Sequence, residues 1–134
     1  MTPKEYLQQI QSLETKINTK KEQILIERSK SESCTSQLKE RVQTSQSPNN
    51  FENAVDKINQ FEIDMNRLID KQIDLKRKII AKIDKMNNPD HIKILEMKYL
   101  KGKNLVEIAA EMDYSYRQIQ RKHGWALEEF KKYM

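Results

Sequence analysis

The side chains best suited to chemistry lie near the C-terminus, directly after Ser115. They comprise a phenol, two guanidinium groups, two amides and an ammonium group with no carboxylate among them: Tyr116, Arg117, Gln118, Gln120, Arg121 and Lys122. Such groups donate hydrogen bonds to phosphate oxygens and to base edges in a DNA groove. The pattern predicts that these residues contact double-stranded DNA. The two arginines would contact guanine or phosphate, and the two glutamines adenine or phosphate.

A short amphipathic helix precedes this basic stretch. Leu105, Ile108, Ala109 and Met112 recur at helical spacing, and Asp113 is a residue type that tolerates the left-handed conformation that ends a helix. Ser115 suits the N-cap of a second helix, because its hydroxyl can accept from a free backbone N–H group. The sequence therefore predicts a helix-turn-helix, a motif whose second helix enters the major groove of DNA.

Two long heptad patterns stand before this motif. The first helix is expected from Pro3 to about Val42, with core positions at Tyr6, Ile10, Leu13, Ile17, Lys20 and Ile24. The second pattern has eleven core positions, nine of them apolar: Phe51, Ala54, Ile58, Phe61, Met65, Leu68, Gln72, Leu75, Ile79, Lys82 and Met86. The turn-rich segment Thr44–Asn50 separates them, which favours an antiparallel helical hairpin. Gln72 either fixes the register of this coiled coil or faces water.

The predicted fold class is all-α, with a long antiparallel coiled-coil hairpin over residues 1–87. A three-helix domain that contains the helix-turn-helix follows over residues 88–134. Asn88 and Pro89 are typical of a helix start, and Gly102 and Asn104 are typical of a break before the next helix. The expected core of the second domain is Ile92, Leu95, Tyr99, Leu105, Ile108, Ala109, Met112, Ile119, Trp125 or Ala126, Leu127 and Phe130.

Composition argues against several other classes of protein. A net charge of +5 permits binding to nucleic acid, although a solvated helical surface gives the same value. The single cysteine, Cys34, excludes an internal disulfide, and no apolar run approaches the ~20 residues that cross a bilayer. His91 and His123 have no companion metal ligands in the sequence. We therefore expect a cytoplasmic protein with no enzyme activity, no metal, no cofactor and no membrane contact.

The stretch from Ile94 to Phe130 resembles region 4 of sigma-70-type bacterial sigma factors. It is closer to that domain in small phage proteins of Gram-positive bacteria, the ArpU/RinA-like late transcriptional regulators. The resemblance rests on Tyr99 before Lys101-Gly102-Lys103, on Glu107–Ala109, Ser115, Arg117–Arg121 and Ala126-Leu127. It implies binding to promoter DNA through the helix after Ser115, with contacts from Ser115, Tyr116, Arg117, Gln120 and Arg121. Asp113 stands where that family often has glycine, and a coiled coil replaces the other sigma regions, so a complete sigma factor is not expected.

Together these observations predict a sequence-specific, phage- or prophage-encoded transcriptional regulator that forms a homodimer through its coiled coil. RNA polymerase is a further expected partner. Two alternatives remain open at this point. One is a protein like the small subunit of phage DNA-packaging machinery, which would form a ring of many subunits. The other is a helical adaptor that binds RNA polymerase or another protein without reading DNA.

Overall fold

The computed structural model describes residues 1–40 and 49–134 of the chain, and the side chains of residues 1–30 and 52–134. Over this part of the chain the fold is all-α, as the sequence predicts. The helices are α1 (Pro3–Glu40), α2 (Asn49–Ile83), α3 (Pro89–Leu95), α4 (Leu105–Met112) and α5 (Tyr116–Lys131), and α3 continues as a π-helical turn, Glu96–Leu100. The predicted linker Thr44–Asn50 lies outside the described residues as far as Pro48, and Asn49 begins α2.

The starts of α3 and α4 follow from asparagine residues, which suit the N-cap position of a helix. The Asn88 side chain accepts from the N–H groups of Asp90 at 3.0 Å and His91 at 3.5 Å, and Pro89 opens α3. The Asn104 side chain accepts from the N–H group of Glu107 at 2.8 Å at the start of α4. These bonds use N–H groups that lack a partner in the first turn of a helix.

One compact unit consists of residues 1–14 and 71–134, and it contains two hydrophobic cores. The first core joins the paired ends of α1 and α2 to α3 and α5: Leu7, Ile10, Ile79, Ile83, Met86, Leu95, Tyr99, Ala126 and Phe130. The second core holds the helix-turn-helix against α3: Ile94, Met97, Ile108, Ala109 and Ile119. The two predicted segments, 1–87 and 88–134, are distinct in the sequence but share the first of these cores.

The third helix lies between these two cores and is buried on both sides. Leu95 and Tyr99 are buried, as the sequence predicts, but they belong to the first core, which includes residues of the hairpin. Ile94 and Met97 belong to the second core and were not among the predicted core residues. The open choice between Trp125 and Ala126 is settled by burial, since Ala126 is fully buried and Trp125 is 58% exposed.

Polar side chains at core positions of the hairpin have specific partners. Gln72 is only 8% exposed, and its Nε2 donates to the Glu14 carboxylate at 2.7 Å and to the Ile10 carbonyl at 3.4 Å. The Lys82 ammonium donates to the Tyr6 hydroxyl at 2.9 Å. Gln72 therefore does not face water, and the water-facing interpretation of this residue is wrong.

The other compact unit consists of residues Thr15–Asp70 of α1 and α2. Ile17, Ile24 and Ala54 are buried there. The Lys20 ammonium lies 5.1 Å from the centroid of the Phe61 ring, a distance at which a cation is attracted to the ring face. This contact explains how a lysine is accommodated at a core position of the first heptad pattern.

Candidate nucleic-acid interface

The turn between α4 and α5 sets the direction in which α5 leaves the helix-turn-helix. Asp113 adopts the left-handed conformation with φ 57° and ψ 35°, and its N–H group bonds to the Ala109 carbonyl. The Ser115 hydroxyl then accepts from the Gln118 N–H group at 3.2 Å, and the Gln118 side chain accepts from the Ser115 N–H group at 3.0 Å. In this capping box, the side chain of each residue accepts from the backbone N–H group of the other. The helix start predicted from Ser115 is confirmed.

The fifth helix has a clearly defined inner face. Ile119, Ala126 and Phe130 are fully buried and anchor α5 in the two cores. At 3.6 residues per turn, the opposite face contains Arg117, Arg121, Gly124 and Glu128, all of which are exposed. The two arginines follow each other by one helical turn at the start of this outer face.

Arg117 and Arg121 have no ion pair with any residue whose side chain the structure describes. Tyr116 and Gln120 are also exposed, with Tyr116 at 47%. A ligand could contact these four side chains without displacing a hydrogen bond or an ion pair to a described side chain. They are the part of the predicted site that the structure brings together on one open surface.

Ser115 and Gln118 use part of their hydrogen-bonding capacity in the capping box of α5. A bidentate contact to adenine uses both the oxygen and the nitrogen of an amide. The Gln118 side-chain oxygen already accepts from the Ser115 backbone, which holds the amide in one orientation while the cap is intact. Gln120 has no such internal role, which makes it the better of the two glutamines for a bidentate contact.

Lys122 is directed away from the open surface and toward the start of α3. Its ammonium group lies 2.9 Å from the Asp90 carboxylate and 4.5 Å from the centroid of the Tyr114 ring. The Tyr114 hydroxyl donates to the same carboxylate oxygen at 2.9 Å. Lys122 and then Tyr114 lower the pKa of Asp90, and the bond to Asp90 raises the pKa of Lys122. This three-residue cluster could not be predicted from the sequence, because Asp90 is far from Tyr114 and Lys122 in the chain.

A second polar contact joins the start of α3 to the end of α5. The Glu129 carboxylate lies 2.5 Å from Nδ1 of His91 and accepts from the Asn87 N–H group at 2.9 Å. Burial alone would raise the pKa of Glu129, but hydrogen bonds from the Asn87 and Asn88 backbone and from His91 outweigh it and lower the pKa. His91 is thus a structural residue that helps to hold α5 against α3.

The exposed face of α4 has a different character from that of α5. Glu107 and Glu111 are exposed on it, and Val106 is 63% exposed. Glu111 forms an ion pair with Lys103 in the loop before α4. The cationic surface of the helix-turn-helix is therefore concentrated on α5, as the charge pattern of the sequence predicts.

No family model, curated protein or solved structure matches this chain. Among the residues that the structure describes, no three histidine, cysteine or carboxylate side chains are grouped so that they could hold a metal ion. None of the described helices combines the length and the apolar character that crossing a membrane requires. The arguments for function thus rest on the arrangement of α4 and α5 and on the side chains that α5 exposes.

Proposed function

We propose that this protein is a sequence-specific, double-stranded DNA-binding regulator of transcription. The first turns of α5 would lie in the major groove, where a recognition helix contacts base edges with its N-terminal residues. The observation that carries the proposal is the pair Arg117 and Arg121, which are exposed and unpaired among the described residues at the start of a correctly capped second helix. Arginine is the side chain that most often makes specific contacts to guanine.

The exposed residues divide into two expected roles. Arg117, Gln120 and Arg121 can reach base edges or phosphates, and Tyr116 lies beside them at the first position of the helix. Ser115 and Gln118 would act mainly by holding the helix start, and the Gln118 side-chain nitrogen can still donate. Such a regulator acts in the cytoplasm, and a phage or prophage origin with promoter DNA as its target remains the proposal from the sequence resemblance.

Binding can be measured by fluorescence anisotropy on a DNA fragment selected from a random pool, over a range of salt concentrations. Replacing Arg121 by alanine should cost about 1–3 kcal/mol of binding free energy at the selected site if the guanidinium contacts a base. If it contacts a phosphate, affinity should fall equally for all DNA sequences. The slope of log affinity against log salt concentration should then become smaller in magnitude by about one. The same two outcomes apply to Arg117→Ala.

The matched control is Arg67→Ala, which removes the same charge from an exposed position on α2. It should bind the selected DNA nearly as well as the unmodified protein. If the double variant with Arg117→Ala and Arg121→Ala binds like this control, the assignment of α5 as the DNA-contacting helix is overturned.

We also propose that the hairpin mediates a homodimer. Ile73 and Ile80 are each 42% exposed on α2 and stand seven residues apart, the spacing that a partner helix in a coiled coil requires. In a twofold arrangement a second copy supplies the same stripe. Sedimentation equilibrium should show a dimer for the unmodified protein. The double variant with Ile73→Asp and Ile80→Asp should be a monomer. A monomer would contradict the proposal, and a ring of many subunits would favour the DNA-packaging alternative.

A further inference from the structure

Gly124 occupies an exposed position in the middle of α5 that its own chain does not explain. A Cβ atom added there would meet nothing within 4 Å among the residues that the structure describes. Its φ angle is not in the left-handed region, unlike that of Gly102 at +73°. Alanine would therefore fit the folded chain, and it favours a helix more than glycine does.

The position of Gly124 on the helix connects it to the proposed DNA contacts. It lies three residues after Arg121 and seven after Arg117, so all three share the outer face of α5. The helix rises ~1.5 Å per residue, which places Gly124 roughly 10 Å beyond Arg117 along the axis. Because Gly124 has no side chain, the surface of α5 has a gap on this face about one turn after Arg121.

Glu128 bounds the surface on its far side. It is the next exposed residue of the same face, one turn after Gly124. A carboxylate beside a DNA phosphate is repelled, so a contact with DNA on this face should end before Glu128. From Arg117 to Glu128 the outer face of α5 thus presents two arginines, a glycine and then a negative charge, and the exposed Lys131 follows in the last turn.

We infer that the sugar–phosphate backbone of DNA passes close to α5 at Gly124. The missing side chain at Gly124 would let α5 approach the DNA closely enough for Arg117 and Arg121 to reach the groove. This inference rests on the proposed DNA-binding function and adds a determinant of how α5 docks. Gly124 would act by its small size and not by donating a hydrogen bond to DNA, because the backbone N–H groups of a helix interior are already bonded.

The test compares Gly124→Ala and Gly124→Gln with the unmodified full-length protein. Both variants should have a higher thermal midpoint, by a few degrees, because each new residue favours a helix. Both should nevertheless bind the selected DNA more weakly, by about tenfold for alanine and about a hundredfold for glutamine. These are the changes expected when extra atoms are forced into a close contact. The control is Ala81→Gln, a similar enlargement at an exposed position of α2.

Retained DNA affinity in Gly124→Gln, with weakened binding in Arg121→Ala, would overturn the inference and leave the proposed function standing. Loss of the dimer in Gly124→Gln with unchanged DNA affinity would also overturn it, in favour of a close crossing of two α5 helices. If DNA affinity were unchanged in the Arg117, Arg121 and Gly124 variants alike, the proposed function itself would fail.

Discussion

The Tyr99 hydroxyl lies 2.8 Å from Nε2 of His123, and the two rings are stacked with centroids 5.8 Å apart. This contact joins the π-helical turn after α3 to the middle of α5, directly behind the proposed DNA-contacting face. Burial lowers the pKa of His123 to about 4, with smaller contributions from Lys98 and Lys4, and burial raises the pKa of Tyr99 to about 12. Both rings are therefore uncharged near neutral pH.

The depressed pKa of His123 predicts a pH dependence of stability. Between pH 6.5 and about 4 the unfolded chain binds a proton at this residue and the folded chain does not. The contribution of the uncharged His123 to the free energy of unfolding is therefore fully present above pH 6.5. This contribution is lost as the pH falls through this window. Because the ring is only partly buried, we expect a loss of about 1 kcal/mol in the free energy of unfolding. Urea unfolding followed by circular dichroism at several pH values measures it.

The variant His123→Gln provides the control, since its amide oxygen can accept from the Tyr99 hydroxyl but does not titrate. Its free energy of unfolding should be nearly constant over the same window. Below about pH 4 both proteins should lose stability together, because the pKa values of Asp90 and Glu129 are also lowered in the folded state. An equal loss in both proteins between pH 6.5 and 4 would contradict the role assigned to His123.

Substitutions at Ser115 should separate the stability of α5 from its binding of DNA. Ser115→Ala removes the hydroxyl that accepts from the Gln118 N–H group, and should cost about 1 kcal/mol of stability. Ser115→Asp retains a cap and should be nearly as stable as the unmodified protein. Its new negative charge beside Arg117 should nevertheless weaken DNA binding. Thermal unfolding and anisotropy on the same samples test this, and unchanged affinity in Ser115→Asp would count against DNA contact at the helix start.

Lys122 should contribute to stability and not to DNA affinity. Its ammonium group is held by Asp90 and lies over the Tyr114 ring. Lys122→Met should lower the thermal midpoint but change affinity for the selected DNA by less than about twofold, whereas Arg121→Ala should weaken it by roughly 5-fold to 150-fold. Comparable losses of affinity in the two variants would show that Lys122 leaves Asp90 to contact DNA.

Local features of this fold could be predicted from the sequence because each depends on residues close together in the chain. Asn88, Asn104 and Ser115 cap the helices they were expected to cap, and Asp113 takes the left-handed conformation. The exposure of Arg117 and Arg121 followed from the same helical periodicity that buries Ile119. These are consequences of backbone geometry, so they required no knowledge of the tertiary contacts.

Features that depend on distant contacts could not be predicted in this way. The sequence indicated one buried face for α3, but this helix lies between two cores, so Ile94 and Met97 are buried as well. The bonds from Asp90 to Lys122 and from His91 to Glu129 join residues more than thirty positions apart. The residues that surround Asp90 and His91 in the sequence do not indicate these partners. This is why Lys122 was expected on the DNA-contacting surface and is instead directed toward α3.

Gln72 is a buried amide in the hairpin. Its partners do not depend on it, because the Ile10 carbonyl lies inside α1 and the Glu14 side chain is exposed to water. Gln72→Leu has a similar volume and should raise the free energy of unfolding in urea by about 1 kcal/mol. Gln72→Ala should instead lower it, since truncation leaves a cavity. If the amide fixes the pairing of the helices, the leucine variant should also show more than one oligomeric species in sedimentation. A leucine variant that is less stable than the unmodified protein would show that the bond to Glu14 outweighs the burial of an apolar side chain.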